Sequence, residues 1–212
     1  MLGAAMAVLG LATLALDPNW ANAVDSTGRY AVRGIGQTSC SQFLRTLPSS
    51  PTMAQGVANW LAGYLSAMNR YERDTYDIAA WHDDLYLLEL VRRTCARRPS
   101  LDVAAAAAEV GRSLQPSRVD AFSPMQSIAG SNGQSVRLYT VVIRRIQTAL
   151  AGQSLYTGPV DGAVSARLLD AIGQFQRAHG LPVTGLPDQQ TLFQLFNGAP
   201  ADPAVPGDAE SR

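Results

Sequence analysis

Five side chains grouped around two glycine turns carry the recognition chemistry of this 212-residue chain: Tyr156, Asp161, Gln176, Arg177 and Thr184. Arginine presents a planar fork of donors that suits carboxylates, and an amide supplies a donor and an acceptor together. A phenol adds a flat apolar face with a polar tip. The set fits a ligand bearing carboxylates, hydroxyls and flat ring faces. Each residue also has a plainer role as a helix cap, a turn bond or a solvated surface group. No catalytic constellation accompanies them. His82 and His179 are the two histidines, no H-E-x-x-H spacing occurs, and Ser39 and Ser41 lack the glycines of a nucleophile elbow. Glu72 and Asp74 could act as an acid and base pair, but sequence does not supply their separation. The chain therefore reads as non-enzymatic, with no cofactor and no metal site.

Cys40 and Cys95 are the two cysteines, without C-x-x-C spacing and too few to hold a metal. An oxidising compartment would pair them, stabilising the fold by about 4 kcal/mol in the chain-entropy model. A reducing one would leave two buried thiols. Asp74, Asp77, Asp83 and Asp84 form an acidic cluster beside His82. Protonation of packed carboxylates loosens folds, and His82 would titrate near neutrality. The plainer expectation is a solvated loop between helices.

The elements that position these groups follow from composition and period. With 47% hydrophobic and 16% charged residues, the chain is globular and long enough for one or two small domains. Seventeen basic and 17 acidic residues balance, which argues against nucleic acid or an anionic membrane as a partner held by bulk charge. All the basic residues are arginines. Residues 1–16 are almost wholly apolar, and Ala21-Asn22-Ala23 follows as a small-x-small cleavage signal. A signal peptide over 1–23 is expected, with the mature chain starting at Val24 and no membrane partner after cleavage. The apolar run is shorter than the roughly 20 residues a membrane span needs.

Behind an extension at 24–36, residues 37–114 read as helices bracketed by the cysteines. Val57, Trp60, Leu61, Tyr64, Leu65 and Met68 make one stripe of threes and fours, with Thr52 as its cap. Leu85, Leu88, Val91 and Cys95 make a second, with Tyr86, Leu87 and Leu90 broadening its apolar face. Ser100 or Asp102 caps a third helix from Val103, and its alanine run has high helix propensity. Residues 115–134, with Pro116, Pro124, Gly130 and Gly133, read as a linker. A three-helix module follows at 135–197, then a tail at 198–212 rich in Pro, Ala, Asp and Gly. In the module, Leu138, Val142, Ile146 and Leu150 form the first inward stripe. Ser165 caps the second helix, Gly180 ends it, and Leu186-Pro187-Asp188 starts the third. Val160-Asp-Gly162 and Val183-Thr-Gly185 repeat one device, each expected to present a valine to the core. The expected fold is all-α: a small disulfide-stapled helical domain followed by the three-helix module, with at most a very small β-pairing beside the glycines.

Two family resemblances sharpen this. Tyr156-Thr-Gly-Pro-Val-Asp-Gly162, Ala171-Ile-Gly-Gln-Phe-Gln176, Gly180-Leu-Pro-Val-Thr-Gly185 and Thr191-Leu-Phe-Gln-Leu195 resemble the peptidoglycan-binding module of bacterial wall proteins, with Ile146-Gln147 as its hydrophobic-glutamine pair. The resemblance spans 136–196 and departs at Ser165 and Leu168, where the family has Gly and Thr. It implies peptidoglycan as the ligand, Tyr156, Asp161, Gln176, Arg177 and Thr184 as its contacts, and a periplasmic location. Cys40, Phe43, Trp60, Gly63, Tyr64 and Cys95 look like the periplasmic acid-stress family of HdeA and HdeB, helical proteins built around one disulfide. That resemblance implies a Cys40–Cys95 bond and a protein client or partner for the helical domain. The expected function is non-catalytic peptidoglycan binding, with a helical domain presented in the periplasm. A wall-tethered acid-stress chaperone, or an immunity or adaptor protein whose module does not bind wall, are the alternatives.

Overall fold

Short polar side chains start the helices of this chain. Ser39, Ser50, Asp83, Asp102, Ser165 and Asp188 each accept a hydrogen bond from a first-turn backbone N–H of the helix that follows. Such caps satisfy donors that a helix start otherwise leaves unpaired. The computed structural model describes residues 25, 27, 29–130 and 133–198, so the expected signal segment and the tail beyond Gly198 lie outside the described residues. In chain order the elements are α1 Cys40–Thr46, α2 Pro51–Tyr71, α3 Asp84–Arg97, α4 Val103–Leu114, β1 Met125–Ala129, β2 Ser135–Tyr139, α5 Thr140–Gly152, α6 Ala166–Ala178 and α7 Gln189–Asn197. The mainly helical fold is as expected, with one two-stranded antiparallel sheet. Among the described residues before Val32, Asp25 Oδ1 accepts from the N–H groups of Thr27 and Arg29, both at 2.9 Å.

The first helices close on one apolar core. Val57, Leu61 and Leu65 of α2 are buried at four-residue spacing, and Trp60 stacks on Tyr64 at 5.3 Å. The cap of α2 is Ser50, not Thr52, because Pro51 takes the first helical position where its missing N–H costs nothing. In α3 the inward set is Leu87, Val91, Thr94 and Cys95, whereas Leu85 is 78% exposed. A Cys40–Cys95 disulfide with a Cα–Cα distance of 4.9 Å ties α3 to α1 and so sets the helix phase. Steps of four back from Cys95 select Val91 and Leu87, and Leu85 falls off that face.

The segment read as a linker is built into the second half. Gln115–Ser117 forms a 3-10 turn, and β1 pairs with β2 in a register that sets Gln126 opposite Leu138 and Ile128 opposite Val136. Leu138 thus belongs to a strand, while Val142, Ile146 and Leu150 keep the inward stripe of α5. Val119 N–H donates to the Asp77 carbonyl at 2.8 Å, and its own carbonyl accepts from Tyr76 and Asp77 N–H at 2.7 and 3.0 Å. Tyr139 donates its hydroxyl to Asp77 Oδ2 at 3.0 Å. Ala80 and Trp81 join the core formed by β1, β2 and α5–α7. Val32 onward is accordingly one compact unit. The acidic cluster is distributed among structural tasks: Asp83 caps α3, and Asp77 Oδ1 accepts from Ala79 N–H at 2.9 Å.

His82 stacks on Trp81 with ring centroids 3.7 Å apart. Burial pushes its pKa down to about 4, and the Ala79 backbone, which favours the charged form, offsets this only in part. Titration near neutrality is therefore not what the structure supports. A histidine with a depressed folded pKa contributes full stability above its unfolded value near 6.5. That stability drains as pH falls toward 4. The expected loss over this window is about 3 kcal/mol. Urea unfolding at pH 7 and pH 4.5 should show it, and His82→Phe should flatten the difference.

Candidate functional site

Two buried glutamines do the same job on successive helices. Gln147 of α5 is fully buried; its Oε1 accepts from Gly162 N–H at 2.8 Å, and its Nε2 lies 3.1 Å from the Ala163 carbonyl and 3.2 Å from Asp161 Oδ1. Gln176 of α6 is also fully buried. Its Oε1 accepts from the N–H groups of Thr184 and Gly185, each at 2.9 Å. Its Nε2 lies 2.9 Å from the Leu186 carbonyl and 3.0 Å from the hydroxyls of Thr184 and Thr191. An amide is the side chain that can answer both a backbone donor and a backbone acceptor, so one glutamine fixes one turn. The repeat seen in the sequence as Val-x-Gly is thus a repeat of glutamine-pinned turns.

Gly162 shows how tightly the first turn is held. Gln126 of β1 donates to its carbonyl at 2.7 Å while Gln147 holds its N–H. Its φ is +79°, and a Cβ there would meet the Thr140 carbonyl oxygen at 2.7 Å. Gly162→Ala adds left-handed strain and a backbone clash, with an expected cost of about 3 kcal/mol. A thermal melt followed by circular dichroism checks it.

The five predicted contact residues separate into two groups. Tyr156 is only 4% exposed and donates its hydroxyl to the Pro159 carbonyl at 3.0 Å. Tyr156 and Gln176 therefore build the frame of the turns instead of facing outward. Asp161 is exposed; hydrogen bonds from Ala163 N–H and then Gln147 hold its carboxyl below the usual carboxylate range. Arg177 is exposed in the last turn of α6, and Thr184 is half-buried with its hydroxyl accepting from Leu186 N–H at 3.1 Å.

The expectation that the repeated valines face the core is overturned. Val160 and Val183 are 48% and 52% exposed. Pinning the glycine peptide inward turns the preceding residues out, so each turn carries an apolar tip. The glycine two positions after each valine was the available signal, because it marks a turn apex and not a strand edge.

Beside the first turn lies a cleft of about 320 Å³ lined by Tyr156, Pro159, Asp161, Ala163, Ser165 and Arg167. It joins an anionic group, a cationic group and a ring edge at the start of α6. Such a surface can hold a short polar ligand carrying both charges.

Residues 142–195 match the family model described as "Putative peptidoglycan binding domain". The match runs from α5 through α7 and contains both pinned turns. It leaves out Ile128 of β1 and Trp81, which complete the same core here, and Gln126, which holds the first turn. No curated protein and no solved structure matches the chain, so the acid-stress resemblance of the first helices gains no support. Among the described residues, no group of three or more His, Cys, Asp and Glu could hold a metal. No described helix is long and apolar enough to cross a membrane.

Proposed function

We propose that this chain is an exported, non-catalytic protein that binds peptidoglycan through the module at 142–195 and presents its disulfide-bonded helices in the periplasm. The observation that carries this is the family match falling on two pinned turns whose outward groups suit wall chemistry. Peptidoglycan offers peptide carboxylates, amines, hydroxyls and flat sugar faces. Arg177 and Arg167 suit the carboxylates, Asp161 suits an amine, and Val160 and Val183 give apolar contact at the turn tips. The disulfide fits an oxidising compartment outside the cytoplasm.

The test is co-sedimentation of residues 24–212 with purified sacculi, competed by soluble disaccharide-peptide. A fragment beginning at 136 would lose β1 and the Gln126 bond to Gly162, so the whole mature chain is the right material. Wild type is expected in the pellet, with Asp161→Asn and Arg177→Ala each weakening retention about three- to tenfold at unchanged melting temperature. Absence of wild type from the pellet at low salt would refute the proposal.

A further inference from the structure

A larger cavity than the cleft beside the first turn reaches that turn at Arg144, whose side chain passes Gly162. A groove of about 890 Å³ opens between α3 and α4 on one side and α5 and α7 on the other. Its size falls within the range of small-molecule and cofactor sites. Trp81, Tyr86, Phe193 and Phe196 line it, with Trp81 edge-on to Phe196 at 5.3 Å and Tyr86 against Phe193 at 5.5 Å. No carboxylate is among its lining residues, whereas Arg144 and Arg145 both are.

The two arginines differ in what they already hold. Arg145 donates to the carbonyls of Ser117 and Arg118 at 2.6 and 2.7 Å, which fastens the segment after α4 to α5. Arg144 is exposed and forms none of the ion pairs found among the described residues. His82 also lines the groove, stacked on Tyr86 with ring centroids 5.6 Å apart. The groove therefore combines an aromatic wall with a cationic fork that is in none of those ion pairs.

We infer that this groove is a second wall-binding subsite, taking a disaccharide-peptide with a sugar face on the aromatic side chains and a carboxylate on Arg144. This rests on the peptidoglycan reading above and extends it, because half of the lining comes from the stretch between Trp81 and Ser117, outside the matched family segment. Charge decides the occupant: a wall lacking any carboxylate and carrying the Arg144 guanidinium favours an anion. The aromatic surface favours an anion that carries a ring.

The experiment titrates residues 24–212 with soluble disaccharide-peptide and follows backbone amide resonances, alongside sedimentation with sacculi. Shifts at Thr148, Phe193 and Ser113 are expected in addition to those near Asp161. Arg144→Gln should weaken the groove component about tenfold. Thr148→Trp, at an exposed groove position, should block it without removing a core contact. If the amides near Asp161 shift while the groove amides stay fixed, and both variants bind as wild type, the groove inference is overturned and the module reading stands. If wild type neither pellets nor shifts anywhere, both fail together.

Discussion

Gln176→Leu is expected to lower the melting temperature by roughly 8–16 °C. Leucine nearly matches glutamine in volume, so packing is kept and only the polar answer to the second turn is removed. Thr184 and Gly185 lose their acceptor, and the Leu186 carbonyl loses its donor. Each buried group left unpaired costs about 1–3 kcal/mol, and partial relaxation brings the sum to about 4 kcal/mol. Arg177→Ala, one position further on but solvent-exposed, should leave stability within about 0.5 kcal/mol while weakening retention on sacculi. Neighbouring residues would then separate cleanly into frame and contact. A melting shift under 2 °C for Gln176→Leu would show that the turn does not depend on its glutamine.

That separation also marks what could be seen in the sequence. Helix starts were legible at Asp102 and Ser165, where a short polar residue precedes an apolar period, but not at Ser50. The stripe Val142, Ile146 and Leu150 was legible for the same local reason, and the cysteine pair because the chain has two cysteines. The phase of α3 was not, because a disulfide to a distant helix chooses which leucines turn inward, and four apolar residues in its first two turns permit either face. The hairpin was hidden by its brevity. Five residues a side give too few alternations to stand out from a Pro- and Gly-bearing stretch. At the site, the two turns were legible but the directions of their side chains were not. Gln176 and Tyr156 carry the chemistry of contact and spend it internally, and Val160 and Val183 look like core and lie outside. Period arguments cannot assign direction in a turn, where a long-range hydrogen bond to Gly162 or Gly185 decides it.

Replacing both cysteines, Cys40→Ala with Cys95→Ala, is the second change expected to have a large effect. The bond closes a sequence separation of 55 residues. Releasing that constraint on the unfolded chain costs about 4 kcal/mol, or roughly 8–16 °C. How the loss is distributed tests the architecture. Were the first helices an independent domain, the module would keep its melting temperature and its hold on sacculi. Yet the loop after α2 sends Ala80 and Trp81 into the module's core, and Asp77 bonds both Val119 and Tyr139. Asp83 N–H further donates to Gln189 Oε1 at 2.8 Å, at the start of α7. Loosening α1 and α3 must therefore strain contacts that the module uses. A single cooperative transition, with sacculus binding lost over the same temperature range as helical signal, is the expected result. Two resolved transitions, the upper one unchanged by the cysteine substitutions, would show instead that the junction transmits nothing.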